Sequence, residues 1–146
     1  MSKITKEQLI AFETEICGLF NQGLIKAPIH LYHGNEDKMI EIFENVKSED
    51  WVFCSWRSHY QCLLKGVDPE IMKQDILAGK SIALSYPSHH IYSSAIVTGS
   101  IPISVGVALD IKLKKRDLLT KKIESEEILD FPYAEPSNYV RLTPLP

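Results

Sequence analysis

Leu9, Phe12, Ile16, Leu19 and Phe20 recur at three- and four-residue steps, the spacing of one face of a helix. Thr5 stands three residues before Gln8, so its hydroxyl can cap that helix while the amide reaches back. Gly23 offers a stop. Pro28 then breaks the chain, and Ile29–Gly34 reads as a loop or short extended piece. Asn35-Glu36-Asp37 suits a helix N-terminus, followed by a second stripe of Met39, Ile42, Phe43 and Val46. Trp51–Cys54 is a short apolar, β-prone run, after which the pattern turns helical as far as Gly66. Asp68-Pro69 opens another helix with cap and first-turn proline. Its residues Ile71, Met72, Ile76 and Leu77 are expected inward, with Gly79 as the end. Ser81–Tyr92 reads as a loop around Pro87 and His89-His90. Ser100 can cap a last helix whose first turn tolerates Pro102. Gly106 and Ala108 would let another backbone or a ligand come close, and a tightly packed buried helix is the ordinary reading.

Composition narrows the class. A chain of 146 residues, 45% hydrophobic and 24% charged, suits one globular domain with a real core. A net charge of −3 gives no electrostatic case for nucleic acid or an anionic membrane as partner. No apolar run approaches the ~20 residues of a bilayer span. MSKITKEQLIAFE lacks the apolar stretch of a signal peptide. Cys17, Cys54 and Cys62 show no CxxC spacing, which suggests reduced thiols. The expected location is cytoplasmic. From Lys112 the chain turns basic (Lys112, Lys114, Lys115, Arg116, Lys121, Lys122), then acidic (Glu124, Glu126, Glu127), then proline-rich. A solvated helix end or linker is expected there, and residues 117–146 are expected to form a tail that wraps a surface or stays partly disordered.

The chemistry-bearing stretch is Asp50–Gly66, DWVFCSWRSHYQCLLKG. Trp56, Arg57 and His59 follow the apolar run directly, where open α/β sheets place ligand groups beyond a strand's carboxyl end. The planar fork of Arg57 suits a phosphate or carboxylate. The alternative is that Trp56 is core, Arg57 a surface ion-pair partner and His59 a helix-surface residue. His30 and His33 have an HxxH look without the further ligands zinc needs; His30 reads either as a group near a substrate or as a structural histidine.

Three stretches then occur in order: HLYHGNE at His30–Glu36, DWVFCSWRSHYQCLLKG at Asp50–Gly66, and SAIVTGSIPISVGVALDIK at Ser94–Lys112. Together they resemble the N-terminal part of the alpha subunit of thiamine-diphosphate-dependent 2-oxo acid dehydrogenases, the decarboxylating components of the pyruvate, branched-chain 2-oxo acid and acetoin complexes. The family patterns are roughly HLxxGQE, DxxxxxYRxHxxxLxxG and IVxxxxPxAxGxAxxxK, and the resemblance runs from about Ile4 to Lys115. It implies an α/β fold, a partial thiamine-diphosphate-binding fold that is helix-rich with few strands. It implies that Arg57 binds the cofactor's diphosphate and that Trp56 stands where the family has tyrosine. His59 and His30 match active-site histidines. Ala95 and Val97 match positions whose backbone holds the aminopyrimidine ring.

Departures accompany the matches. Gly79-Lys80-Ser81-Ile82-Ala83 aligns with a GxSMH-like string in which the family has histidine where Ala83 stands. Asn35 replaces glutamine. No GDG occurs anywhere in the sequence, although that motif and a later asparagine bind the magnesium anchoring the diphosphate. One arginine does not replace a hard cation held by oxygen ligands. The resemblance therefore implies a dehydrogenase alpha-subunit-like unit over residues 1–116 without the metal-binding half. It would act with a beta-type subunit or a GDG-bearing chain, or as a homo-oligomer. The competing expectation is a non-catalytic relic or regulatory partner. Either way, apolar surface should remain exposed on the edge of the Trp51–Cys54 strand or along Ile96–Leu109.

Overall fold

The structure is a computed structural model that describes residues 4–124. Its first helix, α1 (Lys6–Asn21), begins with the expected capping box: Thr5 accepts from the Gln8 amide, and the Gln8 side chain accepts from the Thr5 amide. Leu9, Phe12 and Ile16 are buried, whereas Phe20 lies largely exposed past the end of the packed face. Gly23 carries the positive φ of 72° at the helix exit, a conformation that side chains with a Cβ resist. α2 (Glu36–Phe43) follows, then strand β1 (Val52–Cys54), α3 (His59–Leu64) and α4 (Pro69–Leu77). Asp68 caps α4, accepting from the Glu70 and Ile71 amides.

The segment expected to be a loop, Ser81–Tyr92, instead contains two short strands, β2 (Ser85–Tyr86) and β3 (Ile91–Ser93), and two 3₁₀ turns, Ser81–Ala83 and Pro87–His89. Runs of two and three residues are too short to show an alternating pattern, so pairing rather than local sequence defines them. The sheet has the order β1-β3-β2. β1 runs parallel to β3, with Val52, Phe53 and Cys54 opposite Ile91, Tyr92 and Ser93. β2 is antiparallel to β3. The helix-rich α/β architecture with a small sheet is that of the sequence-based expectation.

Alternation gives the sheet two faces. Val52, Cys54, Ile91 and Ser93 turn to the core, where α1, α3 and α4 contribute Leu9, Phe12, Ile16, Tyr60, Leu63, Met72 and Ile76. Trp51, Phe53 and Tyr92 form an aromatic outer face, with Trp51 and Phe53 stacked at 5.8 Å. On α4 only Met72 and Ile76 are buried; Ile71 and Leu77 are exposed, contrary to expectation. One short helix against a small sheet buries a narrow stripe, and residues next to it turn outward.

The last helix, α5 (Ser100–Glu124), starts at Ser100 with Pro102 in its first turn. It is not the buried helix that its small residues suggest. Ile101, Ile103, Val105 and Leu109 are exposed, as are Ile96 and Val97 before it. The 116/117 boundary falls inside this helix, and the proline-rich part of the expected tail lies outside the described residues.

Candidate functional site

β1 and β3 are neighbours and parallel, so their carboxyl ends point the same way. Beyond β1 come Ser55, Trp56 and Arg57; beyond β3 come Ser94, Ala95, Ile96 and Val97. The Ser94 amide donates to the Cys54 carbonyl at 3.2 Å, tying the two exits together. Two stretches far apart in sequence thus meet at one edge of the sheet. Trp56 is half-buried and lies against His30, ring centroids 5.9 Å apart, so the loop carrying His30 joins the same edge. Ala95 and Val97 are exposed there, and Thr98 holds a left-handed φ of 61° just before α5.

Arg57 is exposed, and no carboxylate among the described residues lies within ion-pair distance of it. It is not the surface ion-pair partner of the simpler reading. Its guanidinium carbon sits 5.8 Å from the centre of the Tyr32 ring, a cation–π distance. The Tyr32 hydroxyl donates to the Arg57 carbonyl at 3.0 Å and also meets the Gln61 amide. Tyr32 in turn stacks on Tyr60 at 4.5 Å. Burial pushes the Tyr32 phenol up to about 12, so it stays a neutral donor. A free cation braced on a rigid aromatic pair can receive an anion such as phosphate or carboxylate.

His59 lies elsewhere. It is fully buried, neither on the helix surface nor at the open edge. Nδ1 lies 3.1 and 3.2 Å from the Glu13 carboxylate oxygens, and Nε2 lies 2.9 Å from Ser81 Oγ. A carboxylate only accepts, so Nδ1 donates to Glu13, while Nε2 is paired with the Ser81 hydroxyl. The order carboxylate–imidazole–hydroxyl is that of an activated serine, but Ser81 has no exposed surface and no substrate can reach it. The trio ties α1, α3 and the Ser81 turn together from inside. The spacing of residues did not point to Glu13 and Ser81 as its partners. A signal existed, since Glu13 stands on the same helical face as Leu9, Phe12 and Ile16.

A second buried carboxylate, Glu36, accepts from the Gly34 amide at 2.8 Å and from the Tyr60 hydroxyl at 2.9 Å. Its own backbone N–H at the start of α2, with Tyr60 and Gly34, holds its carboxyl below the ordinary value. Among the described residues no three His, Cys, Asp or Glu side chains converge on a point where a metal could sit, and His30 and His33 form no such centre. Nor is any helix among them long and apolar enough to cross a membrane.

Comparison with known proteins puts this arrangement in context. The alpha subunit of acetoin:2,6-dichlorophenolindophenol oxidoreductase from Bacillus subtilis (strain 168) is 29% identical over 119 residues, covering 74% of this chain and 35% of that protein. The mitochondrial pyruvate dehydrogenase E1 component subunit alpha of Dictyostelium discoideum is 27% identical over 128 residues, 75% of this chain and 34% of its own. The chain is similar to alpha subunits of this pyruvate and acetoin dehydrogenase kind. A 33% identical stretch of 69 residues, 47% of this chain, matches the Cupriavidus necator acetoin oxidoreductase alpha subunit over 21% of its length. The chain therefore spans about a third or less of the relatives it matches. No family model matches it.

Proposed function

We propose that this chain is the cofactor-facing part of an alpha-type subunit of a thiamine-diphosphate-dependent 2-oxo acid dehydrogenase, and that it works with a partner chain of beta type or one bearing the GDG motif. The single observation that carries the reading is that the stretches bearing Arg57 and Ala95–Val97 leave the carboxyl ends of two adjacent parallel strands. The similarity to dehydrogenase alpha subunits supports it. In this reading residues 1–116 are the dehydrogenase-like unit, and residues 117–146 are an appendage to it.

The residues present fit one half of the cofactor. Arg57 is exposed, unpaired with a carboxylate among the described residues and braced by Tyr32, which suits a diphosphate. The sequence offers no GDG motif for the magnesium half, so that half would come from the partner chain. No reaction step is derived through the cofactor. This chain's contribution is charge and position: Arg57 binds the anion, Trp56 and His30 wall the same edge, and the backbone at Ala95 and Val97 offers polar groups to a ring. His59 acts as a positioning residue that holds the strand-end loop from within, because it has no exposed surface.

Calorimetric titration of thiamine diphosphate with magnesium tests the assignment, using the chain alone and mixed with a GDG-bearing chain. Heat is expected in the mixture. Arg57→Ala should weaken binding by roughly 10- to 100-fold, the worth of about 1.5–3 kcal/mol for a charge-assisted contact. A specific observation favours a second reading: His59 is sealed in the core. On that reading the chain is a non-catalytic partner that keeps the fold. Absence of binding in both titrations would establish it.

A further inference from the structure

We propose that Tyr32 is the positioning residue for Arg57, its ring placing the guanidinium and its hydroxyl placing the backbone that carries it. This rests on the reading above that Arg57 receives the diphosphate. Arg57 lies between β1 and α3 in a stretch without regular structure. Its long side chain gives up rotamer freedom when it closes on an anion, so whatever orders it beforehand strengthens binding. Tyr32 meets it at two points. The guanidinium carbon is 5.8 Å from the ring centre, and the hydroxyl donates to the Arg57 carbonyl at 3.0 Å.

A ring holds a cation in a way that a carboxylate does not. An ion pair would occupy the N–H groups of the fork, whereas a π face attracts the charge and leaves those donors to a ligand. Tyr32, rather than an acid, therefore suits the place beside an anion-binding arginine. Trp56, next to Arg57 in sequence, is engaged with the His30 ring instead.

Tyr32 can act as a brace because it is itself tied to α1, α2 and α3. Its ring stacks on Tyr60 of α3 at 4.5 Å, with 11° between the planes. Tyr60 has no exposed surface, and its hydroxyl donates to Glu36 at the start of α2. The Tyr32 amide donates to the buried Glu13 of α1 at 3.3 Å. The Tyr32 hydroxyl also meets the Gln61 amide, again on α3. The exposed arginine thus leans on a support anchored in the core.

The test titrates the full isotope-labelled chain with inorganic pyrophosphate and follows the Arg57 Nε–Hε group by NMR, its signal identified through Arg57→Lys. Relaxation of the same signal reports how ordered the guanidinium is before the anion arrives. Tyr32→Leu should loosen the guanidinium and weaken pyrophosphate binding by roughly 2- to 10-fold, the worth of ordering one long side chain in advance. Tyr32→Phe keeps the stack on Tyr60 and should fold, which circular dichroism checks. It should leave the guanidinium ordered, make the Arg57 backbone amide more mobile and weaken binding by less. If Tyr32→Leu does not fold, Tyr32→Phe decides alone: an unchanged amide and unchanged affinity overturn the proposal. A wild-type Arg57 signal that pyrophosphate does not move overturns the diphosphate reading, and this inference with it. A wild-type response that both Tyr32 variants retain in full overturns the inference and leaves that reading standing. Weaker binding in Tyr32→Leu with an equally ordered guanidinium would make Tyr32 a contact of the anion, which overturns the positioning role.

Discussion

His59 is held at both ring nitrogens, so its removal takes a partner from two buried groups at once. His59→Ala leaves the Ser81 hydroxyl buried without its imidazole partner, leaves the Glu13 carboxylate with the Tyr32 amide alone of its two donors, and opens a cavity. The expected cost is roughly 3 kcal/mol or more, read by urea denaturation. A loss below about 1 kcal/mol would mean that the trio does not hold the core. Glu36 behaves differently because its carboxyl is held low by its own backbone N–H, Tyr60 and Gly34. A depressed carboxyl contributes stability that is fully present above the ordinary 4.5 and is lost as the pH falls through the lowered folded value. Tyr60→Phe should move acid unfolding to higher pH; an unchanged midpoint would remove Tyr60 from that balance. At this scale the place of Arg57 just beyond a strand end was legible from its position after a β-prone run. His59 was not, because spacing alone does not tell a surface imidazole from one sealed by residues 46 and 22 positions away.

Elements are fixed by their ends. Lys65, just past the end of α3, buries its ammonium and donates to the carbonyls of Lys47, Ser48 and Asp50 at 2.9, 2.8 and 2.7 Å. Burial pulls its pKa down, while Asp50 and Glu49 oppose that. Lys65→Met should free the entry to β1. Faster amide exchange across Lys47–Val52, beyond any global destabilisation, is the expected sign. Asp68→Ala should remove about 1 kcal/mol with α4's cap, measurable by thermal unfolding. The helix starts at Thr5 and Asp68 were readable because caps and periodicity are local chemistry. β2 and β3 were not, since strands this short exist only through the neighbour they pair with. The exposure of α5 was readable only in part: small residues predict close approach, but not whether the approaching surface comes from the described residues.

Across the whole molecule the cysteines give a simple check on the core. Cys54 and Cys62 are buried, and desolvation raises both thiols, Cys54 to about 12. Cys17 is half-exposed. A thiol reagent should therefore modify Cys17 first in the native chain and reach the other two only on unfolding. Fast modification of all three would contradict the packing. The class of fold followed from the helix stripes and the one β-prone run; the gathering of Arg57 and Val97 at one edge followed from the parallel pairing, which no local pattern encodes.

That pairing also bears on how the chain finds its structure. Val52 must meet Ile91 after α3 and α4 have been threaded between them. Non-local contacts of this kind slow folding, because the loop has to close before the contact stabilises anything. The α3–α4 pair, locally connected and with α4 capped by Asp68, is expected to form early and the sheet to close last. Conservative substitution at Ile91 should then speed unfolding while leaving the folding rate nearly unchanged, the signature of a contact made after the barrier.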